Sequence, residues 1–368
     1  MTKHSIRVTR DGEQVGEILA ESVQLDYPDM KGRGEVNMGR SRDGAIWACV
    51  TGGGPQRVFC SSDEGRTWQG RPIHFPDKMR AFTVLSDGTL LLAVVGGEFE
   101  EAHVFRSTDG KQWEGPARIP AAPYDRIGEG PSCMTQIADG TVLFPICRWM
   151  QQDLSTAESQ SQNSIFRSTD GGKSWGDLSA TFDFVGEVHI LQLHSGKLLG
   201  AFRHQRPLLP DDPPDIVERW GAKPAGTVAG VPGQTPGGFK HVFVGDSEDN
   251  GRTWKDLRPL LTGEGRPLLA FGEAHGQVVQ LRDGRVVLVH ERRYPYEGYE
   301  VRARVSCDEG KTWAPELYHV SFGAGYPASV VLEDGTIVTV TGSTPFDAEA
   351  KPIGKHRAQA VRWRLPDR

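Results

Sequence analysis

The chain has 368 residues and is mildly acidic, with 42 Lys and Arg against 48 Asp and Glu and a formal net charge of −6. This balance disfavours a nucleic-acid partner, because no basic excess is available to neutralise phosphates. No apolar run approaches the roughly 18 residues of a membrane span, and the N-terminus lacks the apolar segment of a leader, so we expect a cytoplasmic protein without membrane contact, with a secreted mature form as the alternative.

Six segments in chain order share one pattern, an apolar run, a two-residue turn and a second apolar run. Apolar segments joined by Asp-Gly are the strongest short-range signal for a β-hairpin, and Ser-Gly replaces Asp-Gly in one of the six. The pattern therefore predicts six hairpins. They are VNMGRSRDGAIWACV, FTVLSDGTLLLAVV, MTQIADGTVLFPIC, HILQLHSGKLLGAF, VVQLRDGRVVLVHE and SVVLEDGTIVTVT.

A second repeat alternates with the hairpins and reads Ser-x-Asp-x-Gly-x-Thr-Trp. Serine and aspartate side chains can bind the backbone of their own turn, glycine supplies a positive φ, and tryptophan packs onto the sheet. We therefore expect the aspartates of this repeat to be structural. The copies are SSDEGRTW at 61–68, the shortened STDGKQW at 107–113, STDGGKSW at 168–175, SEDNGRTW at 247–254 and SCDEGKTW at 306–313.

Each hairpin is followed by a third short strand, the serine-aspartate turn and a fourth strand. Four antiparallel strands per unit, repeated six times, predict an all-β, six-bladed β-propeller that spans residues 1–368 as a single domain. The last unit has no serine-aspartate turn of its own. We expect AQAVRWRL to be its third strand and the N-terminal GEILAESVQL to be its outer strand, which closes the ring.

Two long segments, at about 150–163 and 205–238, interrupt blades between their second and third strands. Loops of this length in a compact domain are usually functional or disordered. The second segment is rich in Pro and Gly and too poor in apolar residues to form a core. A lid over a pocket and a contact with another subunit are both open roles for it, and the oligomeric state is undetermined.

The serine-aspartate repeat resembles the Asp-box, or BNR repeat, of the sialidase superfamily. Together with the six hairpins it extends the resemblance along nearly the whole chain. The resemblance implies a sialidase-like propeller and a glycosidase that takes a carbohydrate substrate. Because Asp-boxes also occur in propellers that are not sialidases, function has to be argued from the residues at the mouth, where the innermost strands begin.

Three residues at the predicted mouth match the family pattern. Glu187 lies eight residues before Ser195 of its turn, and Tyr326 lies eight residues before Asp334. The resemblance implies that such a glutamate polarises the tyrosine, which attacks the anomeric carbon; a phenol with an ordinary pKa near 10 needs a base for this. Arg203 lies eight residues beyond Ser195, where the resemblance implies an arginine that binds the substrate carboxylate.

The first inner strand departs from that pattern. The resemblance implies an arginine there, but GRGEVNMGRSRDG has Glu35 and Asn37. Glutamates also precede three other inner strands, and clustered carboxyls can have pKa values so different that one donates a proton while another stays ionised. We expect Glu273 or Glu129 to be the proton donor. The predicted catalytic residues are Glu187, Tyr326, Glu273 and Glu129.

Arginines and histidines at neighbouring strand ends complete the predicted pocket. Arginine beside an aromatic residue is typical of a site for an anionic or stacked sugar ring. The histidines are isolated and lack the spacing of metal ligands, so no metal or cofactor is expected. The five cysteines have no paired spacing and indicate free thiols. The predicted substrate-binding residues are Arg203, Glu35, Asn37, Arg148, His189, His275 and Arg292.

Three functions are compatible with these residues. The leading one is an exo-acting glycoside hydrolase whose altered pocket takes a terminal anionic or deoxy sugar. The second is a true exo-α-sialidase whose arginine clamp comes from unusual positions, such as Arg148, Arg203 and Arg292 or Arg293. The third is a propeller that binds glycan or protein without catalysis. The first leads because Glu187, Tyr326 and Arg203 keep their register while the first clamp arginine is lost.

Overall fold

β-Strands supply nearly all of the regular secondary structure among the residues that the structure describes. The computed structural model describes residues 1–75, 78–95, 100–128, 132–149, 162–223, 238–293, 298–323, 325–345, 347, 349 and 351–367. The one helix among them is α1 (Ile216–Trp220). No helix in the described part of the chain has the length and apolar composition that crossing a lipid bilayer requires. The predicted all-β class is confirmed.

The first half of the chain begins with a hairpin and continues with three blades. The hairpin consists of β1 (Thr2–Arg10) and β2 (Glu13–Leu25). Blade one consists of β3 (Gly34–Arg40), β4 (Ile46–Thr51), β5 (Arg57–Ser61) and β6 (Gln69–Pro72). Blade two consists of β7 (Lys78–Val84), β8 (Leu90–Val95), β9 (Glu101–Ser107) and β10 (Glu114–Pro120). Blade three consists of β11 (Arg126–Ile127), β12 (Thr135–Gln136), β13 (Val142–Trp149), β14 (Gln162–Ser168) and β15 (Gly176–Asp183).

The second half of the chain supplies three more blades. Blade four consists of β16 (Val185–Gln192), β17 (Leu198–Arg206), β18 (Phe239–Ser247) and β19 (Lys255–Pro259). Blade five consists of β20 (Glu273–Gln280), β21 (Val286–Arg292), β22 (Glu300–Ser306) and β23 (Leu317–Phe322). Blade six contains β24 (Gly325–Tyr326), β25 (Ala328–Val331), β26 (Ile337–Gly342) and β27 (Ala358–Trp363).

These blades lie in five hydrogen-bonded sheets among the described residues. One sheet has nine strands because β1 pairs with both β2 and β23 and so joins blades five and six. Within it, β2 pairs with β27 as the outer strand of blade six. The inner strands contact each other around a central axis, β3 against β7, β16 against β20, β20 against β25, and β25 against β3. The arrangement is a β-propeller, as the sequence predicts.

Apolar side chains fill the seams between blades. Between blades one and two, Cys49 and Val58 pack with Phe82 and Leu92, and none of the four is more than 1% exposed. Burial of this kind contributes about 25 cal/mol per Å² of apolar surface. The seams hold the blades at fixed angles, so the starts of the inner strands converge at one end of the axis. The free cysteines are buried at Cys49, Cys133 and Cys147, half-buried at Cys60 and exposed at Cys307.

A glutamine at the end of three inner strands links adjacent blades. In blade four, Gln192 Oε1 accepts the backbone N–H of Ala138 at 2.7 Å, and its Nε2 donates to the carbonyl of Gly196 in its own turn at 3.2 Å. Gln136 and Gln280 make the same two contacts in blades three and five. Each glutamine thereby satisfies backbone groups on both sides of a seam.

The serine-aspartate turns are closed by their own side chains. Asp249 Oδ1 accepts from Ser247 Oγ at 2.8 Å and from Thr253 N at 2.9 Å, and Oδ2 accepts from Thr253 Oγ1 at 2.6 Å. Gly251, at φ +77°, donates to Ser247 Oγ, and its carbonyl accepts from Trp254 Nε1. The same contacts of the carboxylate with the serine hydroxyl and the backbone recur at Asp63, Asp170 and Asp308.

Replacing Asp249 with alanine is expected to lower the free energy of unfolding by about 1–2 kcal/mol at pH 7, because several hydrogen bonds to a carboxylate are lost. Partial burial raises the pKa of Asp249, but hydrogen bonds from Thr253 and Ser247 outweigh it and hold the pKa at about 2, below the ordinary value of about 3.9. The carboxylate therefore stabilises the folded state above about pH 4, and its contribution is lost as the pH falls towards 2. Urea denaturation of both proteins at pH 7 and pH 3 measures this; a difference that does not shrink at low pH contradicts the assignment.

Candidate active site

A pocket opens on the propeller axis at the end where the inner strands begin. It is small, with a cavity volume of about 40 Å³. Such a volume lies well below the roughly 300–1,000 Å³ typical of small-molecule sites. Most of its lining residues, which come from blades one, three, four, five and six, are polar, although apolar atoms supply more of its exposed surface. The lining residues are Val36, Asn37, Ser132, Cys133, Glu187, Val188, His189, His275, Gly276, Gln277, Tyr326 and Pro327.

Two of the lining residues lie at β-bulges with left-handed backbone. Glu187 has φ +29° at a register shift between β16 and β17, and His275 has φ +54° at a register shift between β20 and β21. Bulges re-aim side chains, and positive φ at non-glycine residues concentrates at functional sites. Gly186 precedes the first bulge, and a Cβ there would lie 2.5 Å from Arg203 Nη2. A side chain at this position would displace the Arg203 guanidinium from its observed place beside Glu187.

In two blades, the inner-strand residue eight positions before the turn contacts the second-strand residue eight positions after it. In blade four, Glu187 Oε1 lies 2.9 Å from Arg203 Nη1. In blade five, His275 Nδ1 lies 2.6 Å from Glu291 Oε1. Each partner lies eight residues before or after its turn residue, Ser195 or Asp283. Equivalent positions in two blades thus carry different pairs that converge on one pocket.

Glu187 lies at the centre of this arrangement and is held as a carboxylate. Its second oxygen, Oε2, lies 2.5 Å from His275 Nε2, and its side chain is 4% exposed. Burial raises the pKa of Glu187, but the charges of Arg203 and His275 outweigh burial and hold the pKa well below the usual range. A carboxyl with so low a pKa does not donate protons at neutral pH. It can stabilise positive charge that develops in the pocket.

His275 lies between two carboxylates. Glu187 faces its Nε2, and Glu291, with no exposed side-chain surface, faces its Nδ1. Burial raises the pKa of Glu291, but His275 and Arg293 outweigh it and lower the pKa to about 2. Arg293 also approaches Glu291 directly, with Nη2 2.8 Å from Oε1. The result is a continuous buried chain of contacts from Arg203 to Arg293.

Tyr326 is joined to this chain through Arg293. Its hydroxyl accepts a hydrogen bond from Arg293 Nη2 at 3.2 Å, and its ring packs against that of His275 at an angle of 40°, with centroids 3.6 Å apart. Burial, with the nearby Glu187 charge, raises the pKa of Tyr326 well above its ordinary value. In the described structure the oxygens of Glu187 face Arg203 and His275. The sequence predicts a base contact between Glu187 and Tyr326. In the described structure His275 takes the place of that contact, since it touches Glu187 and packs against the Tyr326 ring.

Three other predicted residues lie at or beside the pocket. Asn37 is 3% exposed and directs Nδ2 to Met79 Sδ at 3.6 Å. His189 accepts the backbone N–H of Val278 at 3.3 Å, and burial lowers its pKa to about 3. Glu35 Oε1 lies 2.6 Å from Lys78 Nζ. Glu35 is also the residue that pairs with Tyr326 in the parallel β3–β24 ladder. Their predicted roles in substrate binding stay predictions.

The structure does not bring the remaining predicted residues into this pocket. Glu273 is buried in a separate network, with Oε1 2.9 Å from Arg302 Nη1. Arg148 donates to Ser164 Oγ at 2.8 Å, and Arg292 lies 3.9 Å from Glu300. The reason is local: Glu273 and Arg148 are displaced along their strands from the positions eight residues from the turn, so their side chains enter other networks. Glu129 lies outside the described residues.

Sequence reasoning missed Glu291 and gave His275 only a binding role. The signal was present, because the eight-residue spacing that selected Glu187 and Arg203 selects His275 and Glu291 in blade five. Arg33 was also missed: it donates to Tyr299 Oη at 2.7 Å and lies within electrostatic range of Arg293. No spacing rule points to Arg33, which precedes its strand. Among the described residues no cluster of His, Cys, Asp and Glu has the arrangement of a metal site.

The described part of the 205–238 insert lies on the mouth side of blades four and five. The Trp220 ring of α1 packs against Phe243 at 5.6 Å, and the Trp220 carbonyl lies 2.9 Å from His241 Nε2. Lys223 Nζ lies 5.4 Å from the Phe271 ring. Residues 224–237 and 150–161 lie outside the described residues, so a lid role and a subunit contact both stay predictions.

Tyr326 is expected to remain a neutral phenol at pH 10, the ordinary pKa of tyrosine. The phenolate absorbance of the wild type at pH 10 should therefore match that of Tyr326→Phe, because burial suppresses ionisation of this one tyrosine. A spectrophotometric titration of the two proteins measures the difference. Clear phenolate absorbance from Tyr326 below pH 10 contradicts the assignment and would restore tyrosine as a ready nucleophile.

No protein-family model matches this sequence, and no curated protein sequence matches it. Solved structures do match. A protein of unknown function from Dyadobacter fermentans has 18% identity and a TM-score of 0.66, with 98% of this chain and 99% of the other covered. A Hadza microbial sialidase has 14% identity and a TM-score of 0.64, with 96% and 71% covered.

An α-L-arabinanase from Penicillium chrysogenum, solved in complex with arabinobiose, has 13% identity and a TM-score of 0.60 to this chain, with 98% of both chains covered. At these identities the likeness is one of fold. It extends over the whole propeller and agrees with the fold that the repeats predict. The chain therefore has the sialidase-like β-propeller fold, which it shares with solved sialidases and an arabinanase.

Proposed function

We propose that this protein is an exo-acting glycoside hydrolase that cleaves a terminal anionic or deoxy sugar. The observation that carries the proposal is the buried chain of contacts that joins Arg203, Glu187, His275 and Glu291 at the base of the axial pocket. A carboxylate and an imidazole in contact combine charge stabilisation with proton transfer, and cleavage of a glycosidic bond needs both. The proposal agrees with the names of structural neighbours, which include a sialidase and an arabinanase.

The polar side chains that line the small axial pocket favour a sugar as the ligand. Asn37, Ser132 and Gln277 offer the mixed donors and acceptors that sugar hydroxyls require.

The arginines beside the pocket favour an anionic sugar over a deoxy sugar. Arg293 contacts Tyr326, and Arg33 lies in electrostatic range of Arg293 and Tyr326. Two guanidinium groups at one edge match the two oxygens of a carboxylate. They come from blades one and five, so a bound carboxylate would orient the sugar across the axis.

Glu187 has the role of an ionised group that stabilises positive charge at the anomeric carbon. Its low pKa favours this role over proton donation. Charge stabilisation by groups fixed in advance is usually the largest catalytic contribution, because nothing has to reorganise during the reaction. Arg203 lies 2.9 Å from Glu187, where it holds the carboxylate in position and favours its ionised form.

Two alternative functions, a true sialidase and a glycan-binding propeller, make different demands on the pocket. A true exo-α-sialidase would need a clamp of three arginines, and Arg148 and Arg292 are engaged away from the pocket. A propeller that binds glycan without cleaving it is favoured by the 4% exposure of Glu187 and by the pairing of both its oxygens. The alternatives predict different outcomes in one assay.

The test is hydrolysis of 4-nitrophenyl glycosides of sialic acid, glucuronic acid, rhamnose, fucose and arabinofuranose. We expect release from the glucuronide or another non-sialic glycoside, and a loss of at least about 100-fold in kcat for Glu187→Gln, because the charge is removed without loss of shape. The matched control is Glu300→Gln, which alters a buried glutamate paired with His319 at 2.7 Å outside the pocket; it should keep wild-type kcat.

Each alternative has its own signature in this assay. Release from the sialoside alone would establish a sialidase and contradict the altered pocket. Binding of a glycan without release from any member of the panel, in a protein folded by circular dichroism, would contradict hydrolysis and establish the binding role. Equal kcat for wild type and Glu187→Gln would remove Glu187 from the reaction.

A further inference from the structure

We propose that a cleft on the mouth face, between blades one and two, binds the sugar unit next to the one that is cleaved. The inference rests on the proposed hydrolase function and extends it, because it makes the substrate at least a disaccharide. The axial pocket, at about 40 Å³, is too small for a whole sugar ring, so most of a bound saccharide must lie outside it. The cleft has a volume of about 620 Å³, within the roughly 300–1,000 Å³ typical of small-molecule sites.

The cleft lies at the mouth end because its lining comes from strand ends on that side. Since β3 begins at the mouth, its antiparallel neighbour β4 ends there and β5 begins there. Thr51 ends β4, residues 53–56 lead to β5, residues 73–75 follow β6, and Lys78 begins β7. The cleft and the axial pocket therefore open on the same face of the propeller.

Glu35 lies between the cleft and the axial pocket. Its Oε1 lies 2.6 Å from Lys78 Nζ, and its Oε2 accepts from Thr51 Oγ1 at 3.4 Å. Both of these partners line the cleft. Glu35 also pairs with Tyr326 in the β3–β24 ladder, and the next residue, Val36, lines the axial pocket. One residue of β3 therefore separates the two sites, and a disaccharide can reach both.

One wall of the cleft is a glycine-rich connection that packs tightly on its other side. Residues 52–55 read Gly-Gly-Gly-Pro, so no long side chain occupies the cleft from this wall. A Cβ at Gly52 would lie 2.6 Å from Met30 Cγ, and one at Gly54 would lie 2.2 Å from the Asp29 carbonyl oxygen. The backbone N–H of Lys31 also donates to the Gly52 carbonyl at 2.7 Å. Close packing thus requires the glycines, and the glycines leave room for a ligand.

The other wall offers an aromatic surface. Phe75 packs against Phe105 with ring centroids 4.5 Å apart, and it lies edge-on to Trp113 at 5.8 Å. Phe75 is only partly buried by these contacts, and His74 beside it is exposed. Small-molecule sites commonly combine aromatic side chains with a few polar groups that fix orientation. Phe75 can therefore support one face of a sugar ring, with His74 at its edge.

Gln56 joins the two walls, so the cleft is formed before a ligand binds. Its Oε1 accepts the backbone N–H of Met79, in blade two, at 2.7 Å. Its carbonyl accepts the backbone N–H of Ile73 at 2.8 Å. A site that is held in its binding shape loses little free energy to ordering when a ligand enters.

The charges at the cleft favour a neutral sugar. Lys78 and Glu35 are in contact and offset each other. Among the described lining residues of the cleft, Lys78 is the only Asp, Glu, Lys or Arg. An ammonium has three donor protons, so Lys78 can bind a hydroxyl while it still faces Glu35. The unit bound here is therefore an uncharged hexose that bears hydroxyls, whatever the charge of the terminal sugar.

The test compares substrates that share one terminal sugar. The probes are the methyl glycoside of the sugar that the wild type cleaves best in the nitrophenyl panel, and the disaccharides that join this sugar to galactose, glucose or N-acetylglucosamine. Wild-type kcat/KM should be about 10–100-fold higher on at least one disaccharide, because the cleft adds binding free energy. In Phe75→Ala the preference should fall below about threefold through a higher KM, since the lost contact is one of uniform binding. Equal kcat/KM on all four probes in the wild type overturns the cleft and leaves the hydrolase function intact.

Two further variants separate the cleft from effects on folding. His74→Ala removes an exposed side chain and should lower the preference by about two- to tenfold, the contribution of one hydrogen bond. Phe322→Ala is the matched control, because it removes an aromatic ring that is 71% exposed on the outer strand of blade five. It should keep the wild-type preference. An equal loss in Phe322→Ala and Phe75→Ala contradicts the assignment.

Isothermal titration calorimetry with the same ligands distinguishes failure of the cleft from failure of the hydrolase function. If the wild type cleaves no probe, the glucuronic acid set is used. Tighter binding of a disaccharide than of the methyl glycoside, lost in Phe75→Ala, then supports the cleft and contradicts hydrolysis. Cleavage without any preference for a disaccharide contradicts the cleft alone. Neither binding nor cleavage contradicts both.

Discussion

The contact of the buried Glu187 carboxylate with Arg203 and His275 is the constraint on which the site depends. A carboxylate removed from water is costly unless charges and hydrogen bonds replace the lost hydration. Here a guanidinium at 2.9 Å and an imidazole at 2.5 Å replace it. The same requirement extends outwards, because His275 is balanced by Glu291 and Glu291 by Arg293. Removing any one member leaves a buried charge without its partner.

The propeller tolerates the strained backbone that this arrangement requires. Glu187 and His275 both adopt positive φ at bulges, which costs of order 1–3 kcal/mol each. Apolar seams and bridging glutamines hold the blades rigidly enough to keep these conformations. Serine-aspartate turns close the opposite ends of the strands, away from the pocket. Stabilising contacts are thus concentrated in the seams and turns, and backbone strain is concentrated at the mouth.

The sequence predicted the fold well because its signals are local. Asp-Gly hairpins and serine-aspartate turns each specify a conformation within about eight residues, and their repetition gives the propeller. The site was harder to predict. Counting eight residues from the turn located Glu187, Arg203 and Tyr326, and it also reaches His275 and Glu291 when applied to blade five. Which partners meet across blades depends on bulges and packing, so the replacement of the Glu187–Tyr326 contact by His275 could not be predicted from spacing.

The most direct measurement of the central claim is a double-mutant cycle of Glu187→Gln and Arg203→Gln, followed by urea unfolding. Because the two side chains are in contact at 2.9 Å, the account predicts that their effects on the free energy of unfolding are coupled by about 0.5–3 kcal/mol. Effects that simply add would contradict it, because the buried carboxylate would then not depend on its guanidinium partner.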